Sequence, residues 1–180
     1  GNEFPGSALG SLTINASSST VELAGSTNPT VSSDLNVTAG TFDDNGNTIT
    51  VNGGATVNGT HTSSSSGQLT FSGGSTTHTL AGSGTYGTVE LDESIDFSNV
   101  PEATISEGAT FGDLTATTGV LEVTSSTVTV NDVTIESEVQ LEAQLDIQNS
   151  GTVNGTLRIE ENGSVGTTSP SYGNSATLVY

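Results

Sequence analysis

Thr48-Ile49-Thr50-Val51-Asn52-Gly53-Gly54-Ala55-Thr56-Val57-Asn58-Gly59-Thr60 is the stretch that decides the fold. An apolar face alternates with a Thr/Asn face, which is the period of a strand buried on one side. Asn-Gly and Gly-Gly pairs then break the run, because these residues adopt positive φ cheaply and make tight corners. The stretch thus reads strand, corner, strand, corner, strand.

The same reading extends outward along the chain. Alternating runs recur at Ser11–Asn15, Gln68–Ser72, Thr88–Asp92, Val120–Thr124, Thr127–Asn131, Thr156–Glu160 and Ala176–Tyr180. Further Asn-Gly pairs stand at 45–46, 154–155 and 162–163. β-Branched residues dominate, and almost no segment has a helical period. The chain is therefore expected to be nearly all β.

Spacing separates hairpins from stacked coils. Apolar triplets centred on Leu12, Leu35, Leu69, Val89, Leu114, Leu157 and Leu178 lie mostly 20–25 residues apart, with wider gaps of 34 and 43. A coil of that length matches a right-handed parallel β-helix, a β-solenoid in which successive turns bury a thin aliphatic core. Thr56-Val57-Asn58-Gly59-Thr60 recurs literally as Thr152-Val153-Asn154-Gly155-Thr156, in line with a degenerate repeat. The alternative is a β-sandwich, but an immunoglobulin-like one favours a core Trp and often a cysteine pair, and this chain has neither. Residues 1–180 are read as one solenoid segment, one slab of a longer repeat array.

Composition narrows the function classes. Twenty Asp and Glu face one basic residue, Arg158, for a net charge of −19, so nucleic-acid and anionic-membrane partners are not expected. Thr, Ser, Gly and Asn make up 94 of the 180 residues, which argues against a thick conventional core. The absence of cysteine removes disulfides, thiolate metal sites and a cysteine nucleophile. No run approaches the roughly 20 apolar residues that span a bilayer, so membrane insertion is not expected.

Four candidate sites follow from residue chemistry. Asp43, Asp44, Asn45 and Asn47 place oxygens at the spacing of a calcium loop, but Thr48 stands where an EF-hand requires Gly. They suit a loosely held surface calcium ion or, on the stronger reading, a tight corner with solvated acids. Glu90, Asp92, Glu93 and Asp96, with Glu136, Glu138, Glu142 and Asp146, raise carboxylate catalysis of the glycoside hydrolase kind. With so few aromatics to hold a sugar, a solvated acidic face explains them better, and the chain is expected not to be an enzyme. His61 and His78 lack a third nitrogen or sulfur ligand for zinc and are expected at exposed strand positions. The Thr-x-Thr pairs at 48/50, 60/62, 77/79, 115/117 and 127/129 would order water, or bind ice, if stacked as a flat ladder. No cofactor is expected.

Gly10-Ser11-Leu12-Thr13-Ile14-Asn15, the stretch Asp34–Phe42 and Asp44-Asn45-Gly46-Asn47-Thr48-Ile49-Thr50-Val51 resemble the repeat regions of very large secreted surface proteins of Bacteroidota. The end segments Ser175–Tyr180 and Gly1–Pro5 resemble the seam between repeats in that family. The pattern departs from it between about Glu90 and Gln148. The resemblance implies an extracellular or cell-surface adhesin or filament segment, sent out by the type 9 secretion route. Its partners would be neighbouring repeats of the same parent chain or filament and, at its surface, glycans.

Overall fold

A computed structural model describes residues 8–73, 77–91, 102–105, 109–116, 119–124 and 126–180. The chain opens with β1 (Leu12–Glu22), β2 (Thr30–Val31), β3 (Leu35–Asp43), β4 (Thr48–Val51), β5 (Ala55–Val57) and β6 (Thr60–Thr62). It continues through β7 (Gln68–Phe71), β8 (Thr77–Ala81), β9 (Thr85–Tyr86), β10 (Val89–Leu91), β11 (Glu102–Ile105) and β12 (Ala109–Ala116). The last part holds β13 (Val120–Val123), β14 (Val128–Ile135), β15 (Glu138–Leu141), β16 (Gln144–Val153) and β17 (Thr156–Ile159). It ends with β18 (Ser164–Thr167), β19 (Ser171–Tyr172) and β20 (Thr177–Val179). Every strand pairing is parallel, and no helix occurs among the described residues. The expected parallel β-helix is the architecture found.

Three faces wind around one core. The first face stacks the leading halves of β1 and β3, then β5, β8, β11, β13, β15, β17 and β20. The second stacks the trailing halves of β1 and β3, then β6, β9, the leading parts of β12, β14 and β16, and β18. The third stacks β2, β4, β7, β10, the trailing parts of β12, β14 and β16, and β19. Seven turns carry the chain from Leu12 through Leu35, Ala55, Leu80, Ile105, Val123 and Leu141 to Ile159, each directly over the last.

Those positions advance by 23, 20, 25, 25, 18, 18 and 18 residues, so the later coils are tighter than the 20–25 expected. The difference lies in the corners. Two-residue corners, Glu136-Ser137, Glu142-Ala143 and Asn154-Gly155, join late strands, and β14 and β16 each run from the second face to the third as one strand, whereas residues 63–67 separate β6 from β7. Each of these two-residue corners is tied down in the same way. Both of its amides donate to one carbonyl of the preceding coil: that of Ala116, of Val123 or of Ile135, at 2.8–3.1 Å. The amides of Asn58 and Gly59 use the Val37 carbonyl likewise, at 2.8 and 3.1 Å.

The literal five-residue repeat does not mark a coil register. Its first copy turns from the first face to the second, and its second copy turns from the third face to the first. What repeats is corner chemistry. At Gly59 that chemistry is steric, because a Cβ there would lie 2.4 Å from the Gly40 carbonyl oxygen.

Inward side chains stack into aliphatic and aromatic columns. On the second face Val21, Phe42, His61, Tyr86, Phe111, Val130 and Ile147 succeed one another. Tyr86 and Phe111 stack with ring centroids 4.7 Å apart, and Phe42 lies 5.9 Å from His61. The third face adds Val31, Val51, Phe71, Ala116, Ile135 and Val153. Each fully buried aliphatic side chain contributes about 1.5–3 kcal/mol, and the ladder keeps like positions in register.

Candidate functional site

The corner Asp44–Asn47 joins β3 to β4, and two of its side chains turn inward. Asp44 and Asn47 are buried. The Asp44 carboxylate accepts from the Ser63 hydroxyl at 2.6 Å, the Gly46 amide at 3.1 Å and the Ser64 amide at 3.3 Å. His61 Nε2 lies 3.3 Å from its Oδ2. Burial pushes this carboxyl up, but the contacts with His61, Ser63 and Gly46 outweigh it and hold the group below its ordinary value. Gly87 donates its amide to His61 Nδ1 at 3.1 Å, which places the ring proton on Nε2, toward the carboxylate.

The four residues read as a calcium loop make separate contacts. Asp43 Oδ1 accepts the Asn45 amide at 2.8 Å, and Asn45 donates its side-chain amide to the Leu23 carbonyl at 2.9 Å. Asn47 Oδ1 accepts the Thr27 amide at 2.7 Å, while its Nδ2 donates to the Asp44 carbonyl at 2.6 Å. Asp43 and Asn45 are half-buried, so these acids and amides fasten one coil to the next. Among the described residues no cluster of three or more His, Asp or Glu is placed to hold a metal ion.

Both histidines differ from expectation, since neither is exposed. His78 donates from Nδ1 to the Gly53 carbonyl at 2.7 Å, with its ring edge-on to Phe71 at 5.6 Å. The signal was present in the pattern itself. In Thr60-His61-Thr62 the threonines face out, so strand alternation turns the middle residue in. Asp44 lies between His61 and Ser63, so the Ser63 hydroxyl addresses a carboxylate and not the imidazole, and the trio is no nucleophile–base relay.

The acidic residues spread over the surface. Glu136 and Glu142 are exposed at corners, Glu138 pairs with Arg158 at 2.9 Å, and Asp146 accepts from Gln148 at 2.8 Å. Glu90 is half-buried and hydrogen-bonds Gln68, while Asp92, Glu93 and Asp96 lie outside the described residues. Gln140, Glu142, Glu160, Glu161 and Asn162 line an open surface hollow of about 440 Å³ that has no aromatic wall.

Threonines do stack, but in single file. Thr20, Thr41, Thr60, Thr85, Thr110 and Thr129 form one outward column on the second face. Thr30, Thr50 and Thr70 form another on the third face, with Thr70 buried and accepting from the Gln68 side chain; Glu90 interrupts the column, and Thr115, Thr134 and Thr152 resume it. The Thr60/Thr62 pair lies over Thr41/Asp43, not over a second Thr-x-Thr. The weakly patterned stretch Ser63–Ser66, with His61 and Thr62 before it, reads in sequence as an exposed loop; Ser64, Ser65 and Ser66 are exposed, but Thr62 and Ser63 are half-buried and His61 is buried, because the Ser63 hydroxyl and the imidazole both turn toward Asp44. Comparison with protein-family models, curated proteins and solved structures finds no match to this chain.

Proposed function

We propose that the chain is a non-catalytic structural segment of a longer extracellular solenoid, extending a surface adhesin or filament away from the cell. One observation carries this reading. Seven coils stack one directly over the last in parallel register about a single core, from Leu12 to Ile159. Such a unit lengthens by adding coils. Supporting it, the outward positions of two faces carry threonine columns, and an excess of acid keeps a repetitive β surface soluble.

The test is a spacer experiment. One, two and three tandem copies are placed between a cell-surface anchor and a labelled tip, and the tip height is measured. Eight rungs at ~4.8 Å predict a rise of about 40 Å per copy. A height independent of copy number, or hydrolysis of any polysaccharide offered to the isolated chain, refutes the reading.

A further inference from the structure

Five Asn-Gly pairs stand at 45–46, 52–53, 58–59, 154–155 and 162–163. Such a pair carries a reaction of its own. The glycine nitrogen, once stripped of its proton, attacks the Asn Cγ and expels ammonia, because no Cβ on the second residue blocks the approach. Its rate in a folded chain depends on how firmly the structure holds that amide proton and the Asn side chain.

Four of the pairs are held fast. The Gly59 and Gly155 amides donate to the Val37 and Ile135 carbonyls of the preceding coil, at 3.1 and 2.9 Å, and the Gly53 amide donates to that of Ser33 at 3.0 Å. Freeing these nitrogens means lifting one coil from another. Gly46 donates instead to the buried Asp44 carboxylate, whose charge opposes loss of the proton, and the Asn45 side chain is fastened to the Leu23 carbonyl at 2.9 Å.

The fifth pair is held differently. Its corner, Glu160 to Gly163, puts four residues between β17 and β18, yet it rests on the two-residue corner Glu142-Ala143. The amides of Glu160 and Ser164 reach the preceding coil, at the carbonyls of Leu141 and Ala143. The surplus length leaves Gly163 to donate within its own corner, to the Glu160 carbonyl at 2.8 Å. That bond opens with one local turn while every coil stays in place. The coil beneath is present, so the difference is set by corner length, whatever coil follows.

We propose that Asn162-Gly163 is the site of spontaneous deamidation in the folded chain, with water as co-reactant. The Gly163 nitrogen gives its proton to solvent base and bonds to Asn162 Cγ. The Cγ–Nδ2 bond breaks, and that nitrogen leaves as ammonia with a proton from solvent. Water then opens the cyclic imide. Cleavage at Cγ leaves aspartate; cleavage at the former main-chain carbonyl leaves isoaspartate, which lengthens the backbone by one methylene. Either product adds negative charge beside Glu142, Glu160 and Glu161, which share a surface hollow with Asn162.

Arg158 is the only Lys or Arg, so brief trypsin treatment of the unfolded chain separates 1–158, with four Asn-Gly pairs, from 159–180, with Asn162-Gly163 alone. The folded chain is first incubated in mildly alkaline buffer, and mass spectrometry then follows amide-to-acid conversion in each fragment. Fragment 159–180 should convert several-fold faster than 1–158, with the change at residue 162, and Asn162→Gln should abolish it. Incubation in urea releases all five pairs, and 1–158 should then convert faster than 159–180. Hydrogen exchange separates a loose corner from a loose coil. The Gly163 amide should exchange several-fold faster than those of Thr168, Gly173 and Thr177, which bind the same last stretch to the coil beneath. Exchange of all four together overturns the proposal, as do equal conversion of the two fragments in the folded chain and a fragment 1–158 that stays slow in urea. None of these results touches the structural-segment reading.

Discussion

Replacing Asp44 with alanine tests the reading of the inward corner. The substitution removes the acceptor of the Ser63 hydroxyl and of the Gly46 and Ser64 amides, and takes away the carboxylate 3.3 Å from His61 Nε2. Ser64 is exposed, so water takes up its amide. Ser63 and Gly46 are half-buried, and each lost bond there costs about 1 kcal/mol. His61 is fully enclosed and cannot turn to a new tautomer, because Nδ1 already accepts from Gly87. A stranded buried donor adds about 1–3 kcal/mol. The sum is about 3–5 kcal/mol, which for a chain of this length lowers Tm by about 10 °C in a circular dichroism melt at neutral pH. Asp44→Ala combined with His61→Leu should lose less than the two single losses added, because the stranded donor is then gone. Strict additivity, or a loss below about 0.5 kcal/mol for Asp44→Ala alone, would refute the argument.

Three further outcomes are expected. Gly59→Ala forces a Cβ to within 2.4 Å of the Gly40 oxygen and should destabilise the chain by about 2–3 kcal/mol in urea unfolding, whereas Gly25→Ala, which meets nothing within 4 Å, should leave the midpoint unchanged. Tyr86→Phe deletes a buried hydroxyl that lies 2.6 Å from the Ala81 carbonyl and 3.1 Å from that of Ala55; a loss of about 1–2 kcal/mol is expected, and an unchanged melt would show those contacts to be worthless. The third concerns pH. The folded-state pKa of Asp44 is depressed below 3.8, so its contribution is complete above that value and lost as pH falls through the lower folded value. Acid titration of stability should therefore be shallower in Asp44→Ala, and an identical pH profile would exclude this carboxylate as a contributor.

Fold class was legible because alternation and Asn-Gly corners are local properties. Coil registration was not, for reasons that particular residues explain. The gap of 34 between Leu35 and Leu69 hides a coil because its core position is filled by Ala55, too small to mark it. Leu69, Val89 and Leu114 belong to the third face, while Leu12, Leu35 and Leu157 belong to the first, so their spacings mix two columns. The identical pentapeptides occupy different corners because the backbone there needs a compact turn, whichever faces it joins. At the candidate site the acids were visible but their direction was not. Asp44 turns inward because His61, 17 residues later, comes to lie one coil above at the same corner, a neighbour set by coil length.

The two-residue corners and one-over-one register also determine how the molecule bears load. Tension applied between its ends acts along the hydrogen bonds of the ladder, so the terminal coil peels from its neighbour while the others stay closed. Each coil from Ile105 to Ile159 then releases 18 residues. Drawn out at ~3.3–3.6 Å per residue, that is about 60 Å of slack from a rung that occupied ~4.8 Å. The coils before Ile105, at 20–25 residues, yield longer steps. Stretching such a rod gives a staircase of extensions at nearly constant force, with step length set coil by coil by its corners, so the segment behaves as a mechanical fuse that lengthens before anything attached to it tears.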